Sequence, residues 1–144
     1  MRWGRPTGFQ GPPANRPELS AGIAWMANRY PMRMPVLLCF NTCPDPATAE
    51  RLATQLVEER LAACVQVLPG LRSVYRWQGA LERSEEVLLL IKTTPERYPA
   101  LQARLPALHP YELPELVAVE ARAGLPAYLQ WLGDETRTDP LKTD

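Results

Sequence analysis

Apolar positions recur along this chain with two different periods, and the changes of period mark out its elements. Val36-Leu37-Leu38-Cys39-Phe40 is a continuous apolar run and predicts a buried strand. Asp45-Pro46 then reads as a helix N-cap followed by proline at the first helical position. Ala49, Leu52, Ala53, Leu56 and Val57 follow at the spacing of a helix with one apolar face. Cys64 to Leu68 predicts a strand that Pro69-Gly70 interrupts. Leu71 to Trp77 alternates, and Gln78-Gly79 supplies a hairpin turn. Val87 to Ile91 predicts a second continuous buried strand. Thr94-Pro95 repeats the cap-plus-proline device before a helix with Tyr98, Leu101, Leu105 and Leu108 on one side. Pro99 suits the first turn of that helix, whereas Pro106 should kink or shorten it. Leu116 to Ala121 predicts the last strand, and Pro126 to Leu132 a short helix with Gly133 as its stop.

The order is β-α-β-β-α-β plus a terminal helix. Both inner helices should pack on one face of a four-stranded sheet, giving a ferredoxin-like α+β sandwich. The hairpin from Cys64 to Lys92 has arms longer than the mean strand of ~5–6 residues, so it should project past the sheet. Val74, Tyr75 and Trp77 lie near its tip. Exposed apolar surface and open strand edges are liabilities for a monomer, and pairing with further copies removes both.

Residues 1–34 read as a disordered tail, because prolines 6, 12, 13, 17 and 31 and glycines 4, 8, 11 and 22 fill it. Two readings stay open: a targeting segment, or sequence upstream of a natural beginning at Met32 or Met34. Ala21 to Ala27 is a poor signal peptide, since a polar Pro-rich stretch precedes it. The folded domain is expected over 35–136, with 137–144 as a short disordered tail.

The formal charge is zero but unevenly spread: residues 1–34 carry +4 and residues 35–144 carry −4. An acidic body argues against a nucleic-acid partner. No apolar run reaches the ~18 residues of a membrane span. Three cysteines at irregular spacing make no disulfide framework, and a reducing, cytoplasmic setting is the simplest expectation. The chain has one histidine and lacks a G-x-S-x-G elbow, a P-loop and a G-x-G-x-x-G turn. The adjacent pairs Glu58-Glu59 and Glu85-Glu86 read as solvated faces. Neither catalysis nor an organic cofactor is expected.

The lone histidine stands in His109-Pro110-Tyr111-Glu112-Leu113-Pro114-Glu115, where two prolines stiffen the backbone. His109 and Leu113 should be extended or in a turn. Of the cysteines, Cys39 and Cys64 sit in apolar runs and read as core. Cys39 and Cys43 are too far apart for one ion, roughly 13 Å in an extended strand. Cys43 precedes Pro44-Asp45, where a helix N-terminus can lower a thiol pKa. A Cys43 thiolate and a His109 imidazole would suit Cu(I), or Zn(II) or Cu(II). His109 can equally serve as a hydrogen-bonding helix end.

The His109–Glu115 segment resembles the signature of the CutA family, named for divalent-cation tolerance. Four other stretches agree in the same order: Thr42-Cys43-Pro44-Asp45, Glu59 to Cys64, Tyr75 to Gly79, and Ile91-Lys92-Thr93. The resemblance covers about residues 35 to 136. It implies a homotrimer locked by exchanged β-hairpins and a ligand among copper and other divalent cations. Bacterial relatives can carry a cysteine at the position of Asn41 and a further histidine at that of Leu108. With both absent here, binding should be weak, and should fall as pH drops through ~6.5, where imidazole takes a proton. Glu112 or Glu115 could donate oxygens or orient the ring. Tyr111, Glu112, Glu115, Trp77 and Lys92 form a second set, which could pack the trimer or line clefts between subunits. Trimers of PII-type signalling proteins bind small anionic effectors in such clefts, so a small-effector trimer is the alternative expectation. A third is a trimeric scaffold presenting its tails.

Overall fold

The computed structural model describes residues 35–139. The expectations for residues 1–34 and for most of 137–144 fall outside them. The elements are β1 (Val36–Cys43), α1 (Pro46–Glu58), β2 (Cys64–Trp77), β3 (Ala80–Thr93), α2 (Tyr98–Leu108), β4 (Val117–Ala121) and α3 (Pro126–Glu135). The strands form one antiparallel sheet in the order β2-β3-β1-β4. The mixed α+β architecture is therefore the one the periodicity predicts.

Asp45 caps α1 as expected, its carboxylate accepting from the Thr48 amide at 2.8 Å. Ala49, Leu52, Ala53 and Leu56 are buried against the sheet, together with Leu101 and Leu105 of α2. They meet Cys39, Cys43, Val87, Leu89 and Ile91 in a single core. Val57 is 41% exposed, because the apolar face of α1 ends one position earlier than the spacing implies.

The remaining departures have local causes. Pro69-Gly70 does not end β2. It makes a bulge between Leu68 and Leu71, with Gly70 at φ +85, and pairing with β3 resumes beyond it. Gln78-Gly79 forms the turn, both residues at positive φ. Thr94-Pro95 is not the cap of α2. Thr94 O accepts from the amides of Arg97 and Tyr98, so a turn intervenes and the helix starts at Tyr98. Pro106 stays inside α2. Its ring and Gln102, whose carbonyl loses a partner, are both exposed, so water can satisfy that oxygen. Gly133 lies within α3 rather than after it, buried beside Leu132. The continuous runs of β1 and β3 are closed on one face and, beyond Val36, half-open on the other. Cys39, Leu89 and Ile91 are inaccessible, but Leu38, Phe40, Leu88 and Leu90 are half-buried.

Those four lie on the face turned from α1 and α2. On that face α3 covers one end, packing Leu132 against Val36 and Ala63. The rest is open and mostly apolar, with Gln66 exposed opposite Leu90. Phe40 pairs with Val117 and Leu90, Leu38 with Val119, and Leu88 with Leu68. Val117, Val119 and Leu68 are exposed.

Candidate functional site

The end of β1 is where polar residues enter an otherwise apolar strand. Asn41, Thr42 and Cys43 are all buried there. The connector from α2 to β4 closes over them, because His109 ends α2 in an extended conformation (φ −90, ψ 139) and the following prolines forbid a helical continuation. Three bonds stitch it down. The Nε2 proton of His109 is donated to Thr42 O at 2.8 Å. Asn41 Nδ2 donates to Glu115 O at 2.7 Å. The Tyr111 hydroxyl donates to Glu86 Oε2 at 2.9 Å. The Tyr111 amide also donates to His109 Nδ1 at 3.1 Å. Both ring nitrogens are thus engaged, and the neutral Nε2–H tautomer is fixed.

Cys43 and His109 are brought together, the thiol sulfur lying 3.7 Å from Nε2. The thiol also faces Asn41 Oδ1 at 3.5 Å. It is buried, and its pKa moves opposite to the helix-terminus expectation. Burial pushes it up to about 11, with the nearby Asp45 and Glu86 carboxylates adding to the rise and Arg51 opposing it. Burial also lowers the His109 pKa, against the bond to Thr42 O and the charge of Glu86. Tyr111 is raised, by burial first and then by its bond to Glu86. Among the described residues no three of His, Cys, Asp and Glu converge as a metal-ligand set.

Glu86 is not the solvated residue that the Glu85-Glu86 pair suggests. It is 7% exposed, on the opposite side of β3 from Glu85. Among the described residues its only hydrogen-bond donor is Tyr111, on Oε2, and none is a cationic partner. Glu86 sits in the wall of a groove of about 940 Å³ between the β2–β3 hairpin and the connector. Tyr75, Trp77, Tyr111, Glu112 and Glu115 line the same groove, so four of the five cleft candidates converge. Lys92 does not. It is six residues along β3 from Glu86, roughly 20 Å, with its ammonium 3.3 Å from the Tyr128 hydroxyl. Sequence reasoning missed Asn41, Thr42, Tyr75 and Glu86. The spacing Glu86, Leu88, Leu90 was the available signal, since alternate residues share a strand face.

A family model described as CutA1 divalent ion tolerance protein matches residues 37–135. A divalent-cation tolerance protein CutA of Thermus thermophilus is 50% identical over 95 residues, covering 66% of this chain and 92% of that protein. A crystal structure of CutA from Xylella fastidiosa superposes with a TM-score of 0.69 at 53% identity, covering 71% of this chain and 98% of the other. A structure titled as the periplasmic divalent cation tolerance protein CutA of Archaeoglobus fulgidus gives a TM-score of 0.68 at 30% identity, covering 71% and 99%. That title sets a periplasmic relative beside the cytoplasmic expectation. Among the described residues no helix is long and apolar enough to cross a membrane.

Proposed function

This chain belongs to the CutA1 divalent ion tolerance family, and from that premise we propose that it acts as a non-catalytic homotrimer in the divalent-cation response, holding a soft or borderline cation, copper foremost, weakly at Cys43 and His109. The family is named for tolerance and not for a reaction. The observation that carries the metal reading is the 3.7 Å between the Cys43 sulfur and His109 Nε2. Nitrogen and sulfur ligands at ~2.1 and ~2.3 Å on a tetrahedral ion lie roughly 3.6 Å apart. The donor atoms therefore suit one ion in spacing, but both hold protons. Binding must remove the thiol proton and free Nε2 from Thr42 O, which weakens it. Affinity should rise with pH through neutrality, about tenfold per unit for each proton released. Protonation of the imidazole adds a fall at acid pH, displaced below the usual ~6.5 by burial.

The trimer is supported by the open apolar sheet face and by the hairpin tip, where Val74 and Leu81 are 61% and 56% exposed. Sedimentation should give about 49 kDa, three times the 16.2 kDa chain mass. The metal test is calorimetric titration with copper of wild type, Cys43→Ser and His109→Ala, under aerobic and anaerobic conditions. Both variants should lose binding; two variants that bind as wild type does would remove both residues from the site. A second reading, a trimer that takes a small effector, is favoured by the groove beside the connector.

A further inference from the structure

The groove carries a sign as well as a volume. Among the described residues its wall holds three carboxylates, Glu86, Glu112 and Glu115, and three aromatic rings, Tyr75, Trp77 and Tyr111, with no lysine or arginine. Glu86 is the built element: more than nine-tenths buried, it offers Oε1 with no donor on it among the described residues. No buried side-chain oxygen or nitrogen fully closed to solvent lacks a partner among the described residues, so that oxygen keeps its access through the groove. A buried carboxylate without a counter-charge is costly, and a cation delivered to it removes the cost. Aromatic faces attract the same charge, and more so when it is weakly hydrated. A bare metal ion is the poorer match, since it needs several ligand atoms within ~2–2.6 Å and the groove measures about 940 Å³.

We propose that this groove binds a small organic cation, an ammonium or guanidinium group on an apolar body, with its charge at Glu86 and its body against Tyr75, Trp77 and Tyr111. The proposal rests on the second reading above, that the groove takes a small ligand, and reverses the anionic effector expected from PII-type trimers. The charge pattern disfavours phosphates, because three carboxylates repel them and no basic side chain among the described residues of the wall offsets that.

The test uses the full-length protein in its native assembly and three probes: choline, its uncharged isostere 3,3-dimethylbutan-1-ol, and ADP. Calorimetry should show choline binding at least tenfold tighter than the alcohol, with no heat from ADP. Glu86→Gln keeps the volume and an acceptor for the Tyr111 hydroxyl, and should abolish the tenfold preference. Glu112→Gln is a surface change that leaves folding intact, and should reduce the preference several-fold. Equal affinity for choline and the alcohol overturns the proposal, as does unchanged preference in both variants. Binding of ADP but not choline overturns the cationic assignment and leaves the small-ligand reading standing. No binding of any probe overturns both, a neighbouring subunit then filling the groove.

Discussion

Replacing Tyr111 by phenylalanine isolates one bond of the site. The ring, its tilted contact with His109 at 4.8 Å between centroids, and the volume are kept. Only the hydroxyl that donates to Glu86 Oε2 at 2.9 Å is lost. A hydrogen bond to a charged acceptor contributes about 1.5–3 kcal/mol, the upper end when the acceptor is left desolvated. Glu86 is 93% buried but opens to the groove at one oxygen, so water can repair part of the loss. The expected cost is about 2 kcal/mol. Urea unfolding at fixed protein concentration measures it, because the stability of an assembly depends on that concentration. Glu86→Gln alone replaces the charged acceptor by a neutral one. The double variant should be less destabilised than the sum of the two, by about 1 kcal/mol, since directly bonded groups do not add. A cost below about 0.5 kcal/mol, the range of an ordinary surface substitution, would refute the reading of Tyr111–Glu86 as a bond that holds the connector to β3.

Three further outcomes follow from the same geometry. His109 is buried neutral with a lowered pKa, so its contribution to stability is present above the unfolded-state value of ~6.5 and is lost as pH falls toward the folded-state value; urea midpoints should drop more steeply from pH 7 to pH 5 in wild type than in His109→Gln. Arg97 donates to the carbonyls of Arg60 and Glu59 at 3.1 and 3.4 Å, satisfying the C-terminus of α1; Arg97→Ala should cost about 1 kcal/mol in the same assay. The Cys43 thiol, closed to solvent and raised to about 11, should resist iodoacetamide in the native protein at pH 7.5, so mass spectrometry should find the half-buried Cys64 alkylated first.

The elements were legible because their signals are local. Asp45-Pro46 marked the start of α1, and Gln78-Gly79 the turn between two long arms, from chain chemistry alone. Boundaries failed where tertiary packing outweighed it. Gly133 continues α3 at a buried position, while Pro106 continues α2 for a different reason, the exposure of the Gln102 carbonyl that it frees. In the site, His109 and Tyr111 stood out because prolines flank them. Asn41, Thr42 and Glu86 did not, since their roles depend on which strand face the connector closes over. That is set by the pairing of Asn41 with Leu89 and Cys43 with Val87, across more than forty residues. The same blindness hid the sign of the groove. The chain's formal charge is zero, and only the fold gathers Glu86, Glu112 and Glu115 on one wall.

The bulge at Pro69-Gly70 has a consequence for assembly. β2 is an edge strand, and an uninterrupted fourteen-residue edge is a template on which other chains can slide and stack without limit. Pro69 offers no amide hydrogen, and the extra residue shifts the pleat, so the edge is divided into Cys64–Leu68 and Leu71–Trp77. A strand added to one segment cannot run on in step along the other. The irregularity therefore acts as a stop, favouring an association that closes after a set number of copies over one that grows as a fibre.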